Sequence, residues 1–233
     1  MKIINKISEL KDAIKELKGS IGLVPTMGAL HDGHKSLITA STMQNDNTVV
    51  SIFLNPIQFG ANEDLDKYPK TFDADCKMCE EKNVTIVFAP TPDEMYGEEK
   101  NNLTLICPPY GVLDKLCAKS RPGHFDGVCS VVAKLFNLTK PNRAYFGQKD
   151  AQQLFIIKKM VHDLNFDLEI IPCPIVREAD NLALSSRNKY LTHNERNLAL
   201  SISKSLFEAK KLYLQGLATK HAIIDNSLSL MDK

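Results

Sequence analysis

A strand and a helix are joined by the segment Pro25-Thr26-Met27-Gly28-Ala29-Leu30-His31-Asp32-Gly33-His34. Before it, residues 20–25 form a short apolar run with the composition of a strand buried on both faces. After it, residues 33–46 carry the apolar spacing of an amphipathic helix. In open α/β sheets, ligands bind at such turns, where the carboxyl end of a strand meets the N-terminus of a helix.

The same alternation continues on both sides of this segment. Short β-branched runs are separated by amphipathic stretches long enough to be crossover helices, which implies βαβ units. The pattern predicts an α/β fold, with a Rossmann-like, doubly wound and mostly parallel sheet. The predicted strands are 20–25, 48–54, 84–88, 143–146 and 168–176, and the predicted helices are 7–18, 33–46, 66–82, 127–140 and 150–163.

The remainder of the chain has a different, mainly helical pattern. Thr192 and Glu195 have the Thr-x-x-Glu spacing of a capping box, Gly216 is placed to end that helix, and a second helix is expected from Lys220. We therefore predict two domains, residues 1–176 with the sheet and a small helical domain at 177–233. An apolar stripe on the first of these helices is expected to belong to the core: Leu198, Ile202, Leu206, Ala209 and Tyr213.

Composition excludes several classes of protein. The 233 residues carry 29 Lys and Arg against 28 Asp and Glu, so the net charge is +1, without the basic excess of a nucleic-acid-binding protein. There is no apolar run of the ~20 residues that a membrane span requires. The N-terminus lacks the apolar core of a signal peptide, which predicts a cytoplasmic protein.

Six cysteines fit that compartment, because their spacing shows no disulfide framework. Cys76 and Cys79 form a C-x-x-C pair, but no second pair follows that would complete a zinc site. We interpret them as two small apolar residues one turn apart on a helix.

The turn at 25–34 carries the strongest chemical signal. A helix N-terminus offers backbone N–H groups to phosphate, and Gly28 and Gly33 permit close approach of the chain. His31 and His34 are then placed to donate hydrogen bonds to charge that builds on phosphate during nucleotidyl transfer. This H-x-G-H arrangement is similar to that of adenylate-forming and nucleotidyl-transferring relatives of class I aminoacyl-tRNA synthetases. A glycine-rich turn with two surface histidines, or a metal-binding pair, is the alternative.

Four further polar segments follow strands or begin helices. Residues 53–60 contain Gln58, whose amide both donates and accepts; residues 119–128 contain Lys119 and Arg121, which are suited to phosphate or carboxylate. The last two segments are residues 144–153, with Lys149 and Asp150, and residues 176–188, with Ser185, Ser186 and Arg187. The alternative interpretations, in the order of the four segments, are a strand-ending turn, a basic loop at a helix start, an N-cap at Asp150 and an interdomain linker.

Taken together, the five segments resemble the motifs of the pantothenate synthetase (pantoate–β-alanine ligase) family, in its order and over roughly residues 1–215. The motifs are P-T-M-G-A-L-H-D-G-H, N-P-I-Q-F, K-S-R-P-G-H-F, F-G-Q-K-D-A-Q-Q and R-E-A-D-N-L-A-L-S-S-R-N. The resemblance implies an ATP-dependent ligase that converts pantoate to pantoyl adenylate and then transfers the pantoyl group to β-alanine, releasing AMP. It also implies a homodimer and Mg²⁺ with the triphosphate, for which Asp73 and Asp75 are candidate carboxylates at a spacing too common to assign.

The resemblance further implies a role for each motif residue. His31, His34, Lys149 and Arg187 are the expected catalytic residues. Gln58 and Gln153 are expected to bind pantoate, and Gln58 also β-alanine. The expected ATP ligands are Met27, Gly28, Ala29, Leu30, His31, Asp32, Gly33, His34, Gly147, Gln148, Lys149, Asp150, Val176, Leu184, Ser185, Ser186 and Arg187.

The sequence departs from the family in three places. Asn181 and Leu184 stand where the family usually has Gly and Met, and both exchanges look tolerable because Asn accepts positive φ and Leu nearly conserves volume. The family's C-terminal domain continues beyond its helices, so we expect an abbreviated, mobile lid here. Another H-x-G-H nucleotidyltransferase and a non-catalytic nucleotide-binding relative are the alternative functions.

Overall fold

The computed structural model of the protein describes residues 1–60, 63–97, 102–216 and 219–231. The chain divides into two compact units, Met1–Pro174 and Ile175–Lys233, and each is described by itself. The division of the chain into domains at residues 1–176 and 177–233 remains a prediction.

The first unit is built on a six-stranded sheet in which every strand pair is parallel, with the strand order β1-β4-β3-β2-β5-β6. The predicted parallel α/β architecture is therefore confirmed. The strands are β1 (Lys2–Ile4), β2 (Ile21–Thr26), β3 (Asn47–Ile52), β4 (Ile86–Phe88), β5 (Arg143–Gly147) and β6 (Glu169–Cys173).

Helices connect these strands, and their bounds follow the predicted amphipathic stretches closely with one exception. The stretch predicted as helix 66–82 becomes helical only at residue 72. The helices of this unit are α1 (Ile7–Glu16), α2 (Asp32–Gln44), α3 (Phe72–Glu81), α4 (Pro92–Tyr96), α5 (Tyr110–Leu113), α6 (Leu116–Ser120), α7 (His124–Thr139) and α8 (Ala151–Asp163).

Neighbouring residues of each central strand enter two different cores. Leu23 packs in a cluster with residues of α1, α7 and α8, whereas the next residue, Val24, packs with residues of α2 and α3. Val49 and Val50 divide in the same way. Because side chains alternate across a strand, helices therefore cover both faces of the sheet, as in a doubly wound fold.

The second unit contains α9 (His193–Gln215) and α10 (Lys220–Met231). The predicted capping box is present: Glu195 N–H donates to Thr192 Oγ1 at 3.3 Å, and Thr192 N–H donates to Glu195 Oε2 at 2.8 Å. Gly216 ends α9 in the left-handed conformation, with φ of +65°. Within the described residues, no helix is both long and apolar enough to cross a bilayer.

The prediction that the apolar stripe of α9 is core is wrong. Four of its five residues are exposed, from 56% for Ile202 to 74% for Tyr213. Periodicity identified the shared face correctly, but periodicity does not reveal whether another element covers that face.

Candidate active site

The topological switch point of the sheet lies between β2 and β5. From β2 the chain adds β3 and then β4 on one side, and it later adds β5 and β6 on the other. Both strands run parallel, with Leu23 of β2 opposite Ala144 of β5. The turns after their carboxyl ends, at 27–31 and at 148–150, are therefore neighbours in the crevice where such sheets bind ligands.

The turn after β2 is held in an unusual backbone conformation by a buried carboxylate. Gly28 and Ala29 both have positive φ, +87° and +51°. Asp75, from the neighbouring helix α3, accepts hydrogen bonds from Ala29 N–H at 3.0 Å, Leu30 N–H at 2.8 Å and Thr71 Oγ1 at 3.0 Å. These bonds offset the cost of a left-handed conformation at alanine, which residues with a side chain rarely adopt.

Five backbone N–H groups of this turn have acceptors inside the protein. Besides the two bonds to Asp75, Gly28 N–H donates to Thr26 Oγ1, His31 N–H to His34 Nδ1 and Gly33 N–H to His31 Nδ1. Each N–H donates its single proton. These five N–H groups are therefore engaged within the protein, and the contacts of this turn with ATP stay a prediction.

We expect Asp75→Ala to lower the free energy of unfolding by about 1–3 kcal/mol for each N–H group left without an acceptor. Asp73→Ala is the matched control, because Asp73 is exposed on the same helix. Urea denaturation of both variants checks this expectation. Equal stability of the two variants would contradict the structural role of Asp75.

His31 and His34 form a pair of contacting rings at the start of α2, with centroids 4.2 Å apart and planes tilted by 39°. His31 Nδ1 accepts from Gly33 N–H at 3.1 Å, and His34 Nδ1 accepts from His31 N–H at 3.3 Å. An accepting nitrogen carries no proton, so in both rings the proton lies on Nε2. A Cβ at Gly33 would lie 2.7 Å from His31 Cε1, so a side chain there would displace the His31 ring.

Both imidazoles are held in the neutral form. Burial, followed by the charges of His31 and Lys149, lowers the pKa of His34 from 6.5 to about 3. Burial and Lys149 also lower the pKa of His31, against the opposing effect of Asp32 and Asp150. A neutral His34 has one Nε2–H to donate, which favours a hydrogen-bond donor over a proton donor.

The lowered pKa of His34 predicts a pH-dependent stability. The unfolded chain binds a proton at His34 near pH 6.5, whereas the folded chain binds it only near pH 3, so stability is lost as pH falls between these values. Between pH 7 and pH 5, the free energy of unfolding should therefore fall more in the wild type than in His34→Ala. Urea denaturation at both pH values checks this, and an equal fall in both proteins would contradict it.

Lys149 lies on the 3-10 turn Gln148–Asp150 after β5, which leads directly into α8. Its Nζ is 3.2 Å from Asp150 Oδ1, and its charge acts on both histidines. Asp150 stands at the N-cap of α8 but makes no capping hydrogen bond. The structure thus brings three of the four predicted catalytic residues together, His31, His34 and Lys149.

Gln58 lies on the 3-10 turn Pro56–Gln58 after β3 and is buried. Tyr96 Oη donates to Asn55 Oδ1 at 2.6 Å, so the amide of Asn55 is oriented to donate from Nδ2 to Gln58 Oε1 at 3.0 Å. With its oxygen engaged, Gln58 presents its NH₂ group, which lies 3.1 Å from Met27 Sδ in the turn after β2. An amide held as a donor suits a carboxylate or hydroxyl ligand.

Two other predicted motifs make contacts that the sequence does not indicate. Arg121 pairs with Glu63 and contacts His124, rather than standing free for phosphate. In the motif at 144–153, Gln153 is half-buried on α8, whereas the neighbouring Gln152 joins α8 to the α5–α6 segment through bonds with Ala118 N–H and Lys115 O.

The remaining predicted ATP ligands, Val176, Leu184, Ser185, Ser186 and Arg187, belong to the second unit. Arg177 pairs with Ala183 across a tight turn, in which Asn181 adopts φ of +74° as this residue tolerates. Arg196 fastens the turn through Glu178 and Asp180, each at 2.6 Å. Ser185 Oγ accepts from Arg187 N–H at 3.3 Å, where the 3-10 turn Ser186–Tyr190 begins.

The cysteine pair is consistent with a structural interpretation. Cys79 is fully buried in the core between α3 and the sheet, and burial raises its pKa to about 12. Burial also raises the pKa of Cys76. Protonated thiols are poor metal ligands and poor nucleophiles, so this pair belongs to the packing of the sheet.

Three residues support the site without having been predicted to do so: Asn55 and Tyr96, and Asp75, which the sequence offers only as a candidate metal ligand. Asn55 belongs to the N-P-I-Q-F motif, and its place just after β3 could have identified it, since an amide there lies at the ligand-binding edge of the sheet. Tyr96 and Asp75 lie 41 and 46 residues from the groups they hold, so only the fold brings them there.

The sheet is parallel and doubly wound, and two neutral H-x-G-H histidines and a lysine lie at its switch point. These features define a nucleotide-binding α/β protein of the nucleotidyl-transferring class. The sequence profile of the pantoate-beta-alanine ligase family matches residues 2–231. The chain belongs to this family.

Individual relatives agree with that assignment. The chain is 53% identical to a pantothenate synthetase of Caldicellulosiruptor saccharolyticus and 54% identical to one of Clostridium acetobutylicum, in each case over 93% of this chain and 77% of the relative. Among solved structures, pantothenate synthetase from Thermus thermophilus superposes with a TM-score of 0.93 at 38% identity, over 100% of this chain and 82% of the other. Pantoate-beta-alanine ligase from Francisella tularensis, complexed with beta-gamma ATP and beta-alanine, gives 0.82 at 41% identity, over 88% and 78%.

Proposed function

We propose that this chain joins pantoate to β-alanine at the expense of ATP, forming pantothenate, AMP and pyrophosphate. The observation that carries the proposal is the cluster of His31, His34 and Lys149 beside an amide donor at Gln58, in a member of this ligase family. The cluster can donate hydrogen bonds to phosphate, and the Gln58 amide can donate one to a carboxylate. Donors of both kinds at the same edge of the sheet suit a reaction between a nucleotide and an acid.

In the first step, a pantoate carboxylate oxygen attacks the α-phosphorus of ATP, and pyrophosphate leaves to give pantoyl adenylate. Negative charge grows on the phosphate oxygens, and the Nε2–H groups of His31 and His34 and the ammonium of Lys149 are donors for that charge. Because both histidines are neutral, they polarise these oxygens without transferring a proton. Catalysis then consists of positioning and electrostatic stabilisation.

In the second step, the β-alanine amine attacks the acyl carbon of the adenylate, and AMP leaves. We propose that Gln58 contacts pantoate and then β-alanine, and that Gln153 contacts pantoate. The amide donor geometry of Gln58 supports its part, because it matches a carboxylate acceptor. Val176, Leu184, Ser185, Ser186 and Arg187 remain predicted ATP ligands.

Mg²⁺ is proposed to arrive with ATP. The described residues contain no group of three or more His, Cys, Asp or Glu side chains placed to hold a metal ion. Asp75 is a candidate metal ligand from the sequence, but both of its carboxylate oxygens accept hydrogen bonds from protein groups. Phosphate oxygens and water would then be the main ligands, and the ion would neutralise phosphate charge. A homodimer and a cytoplasmic location are further proposals; sedimentation velocity tests the first.

The experiment that tests this function supplies ATP, pantoate and β-alanine and follows AMP and pantothenate together. Equal amounts of both products support the proposal. A nucleotidylated acceptor without AMP would favour another H-x-G-H nucleotidyltransferase, and ATP binding without product would favour a non-catalytic relative.

A further inference from the structure

A chain of polar contacts leads from the surface to the backbone of Gln58. Glu63 and Arg121 form a two-point ion pair, in which Arg121 Nε donates to Glu63 Oε1 at 2.8 Å and Nη2 donates to Oε2. Arg121 Nη1 lies 2.9 Å from His124 Nε2, and His124 Nδ1 lies 2.8 Å from the carbonyl oxygen of Gln58. The His124 side chain is buried.

These contacts fix the protonation of His124. A guanidinium only donates hydrogen bonds, so Nε2 of His124 accepts and carries no proton. The proton therefore lies on Nδ1, from which it is donated to the Gln58 carbonyl. Arg121 in turn is oriented by Glu63, whose pKa is lowered chiefly by its hydrogen bond from Arg121.

The helix that begins at His124 also presses directly on the turn that carries Gln58. A Cβ at Gly127 of α7 would lie 2.6 Å from Ile57 O and 2.7 Å from Gln58 Cα, so only glycine fits there. Gly127 O accepts from Asn55 Nδ2 at 3.2 Å, on the side of the turn that orients the Gln58 amide. The first turns of α7 thus define both the position and the direction of Gln58.

We infer that Glu63, Arg121 and His124 are positioning residues, which hold the Gln58 backbone so that its amide meets the acid substrate. The inference rests on the proposed contact of Gln58 with pantoate. None of the three needs to touch a substrate: Arg121 acts through His124, which in turn holds a residue 66 positions earlier in the chain.

The test is a double-mutant cycle between His124→Leu and Gln58→Ala, read as KM for pantoate. His124→Leu alone should raise KM for pantoate about tenfold, the lower end of effects seen when a supporting partner is removed, while the Kd of ATP stays within about twofold. In the Gln58→Ala background, His124→Leu should add no further increase. Additive effects would overturn the inference, because they would show that His124 acts by another route.

His124→Asn and Asn137→Ala complete the design. Asparagine keeps a donor near the position of Nδ1, so His124→Asn should recover much of the pantoate affinity, whereas a folding defect would not be rescued selectively for one substrate. Asn137 is exposed near the other end of α7, the helix that begins at His124, so Asn137→Ala should leave KM unchanged. Failure of the asparagine variant to recover affinity, or an equal effect of Asn137→Ala, would overturn the inference.

The protonation state provides a readout that does not depend on the proposed reaction. Nitrogen NMR of the wild type should show His124 protonated on Nδ1, and Arg121→Ala should change that signal. The opposite tautomer in the wild type would overturn the positioning chain whatever the enzyme's substrate. If the tautomer is as expected but Gln58→Ala leaves pantoate binding intact, the proposed role of Gln58 fails instead.

Discussion

His34→Ala is expected to slow formation of pantoyl adenylate by about 10²–10³-fold, the usual effect of removing one preorganised donor from developing charge. The donor is defined by the structure: His34 Nδ1 accepts from His31 N–H, so Nε2–H alone is available. Rapid-quench measurement of pyrophosphate release, with ATP and pantoate at saturation, isolates this step. The loss should appear in the rate constant rather than in ATP affinity, because the transition state carries the larger charge.

Two conservative variants distinguish a hydrogen-bond donor at Nε2 from other roles. Glutamine places an amide N–H near the position of Nε2 and should recover part of the rate, whereas asparagine reaches only the position of Nδ1 and should not. His162→Gln is the matched control, since His162 is exposed near the end of α8, where it contacts its neighbour Asp163. Equal rates for the glutamine and asparagine variants would contradict the assignment of the donor.

The pH dependence of the same step separates donation from proton transfer. A general acid with an ordinary histidine pKa would lose activity as it deprotonates above pH 6.5. Since the pKa of His34 is lowered to about 3, His34 stays neutral from pH 6 to pH 8 and contributes no such loss. A wild-type rate that falls through pH 6.5 and becomes flat in His34→Ala would show that His34 acts as a proton donor.

The fold is predictable from the sequence because it depends on local patterns. Buried parallel strands require continuous apolar runs, and crossover helices require amphipathic stretches, so both kinds of element leave a signal over roughly five to fifteen residues. β1 escapes prediction because it has only three residues, directly before a helical pattern. Residues 66–71, before α3, are wrongly predicted as helix; Pro69 lacks the N–H that a helix interior uses, and it is the signal that the helix begins only after it.

The site is predictable only as a set of residue types. The motifs place His31, His34, Lys149 and Gln58 at strand ends, and the fold brings the turns that carry them to one edge of the sheet. What the sequence lacks is the partner of each group. Backbone N–H groups at 29 and 30 look free until α3 delivers Asp75, and Arg121 looks like a phosphate ligand until Glu63, 58 residues away, pairs with it.

Lys149→Met is expected to lower the rate of adenylate formation by about 10²–10³-fold as well, because it removes the cation beside the histidine pair. Lys149 is partly exposed, and its Nζ pairs with the neighbouring Asp150. The ammonium group of a lysine is compact and its side chain is flexible, which suits this role. The group can stay close to the negative charge as that charge passes to the leaving pyrophosphate. Pyrophosphate release under saturating ATP and pantoate measures the effect, and Lys158→Met, exposed later on α8, is the control.

A second measurement on the same variant shows where the Lys149 charge acts. Lys149 lowers the pKa of His31, with only burial acting more strongly, so Lys149→Met should raise the pKa of His31 toward 6.5. Titration of the His31 ring by NMR follows this shift in the absence of any substrate. A slower reaction with a raised His31 pKa places the ammonium beside the histidine pair, where it stabilises phosphate charge and also keeps both imidazoles neutral. A slower reaction with an unchanged pKa would mean that Lys149 acts at a distance from the pair, and an unchanged rate would remove it from the catalytic set.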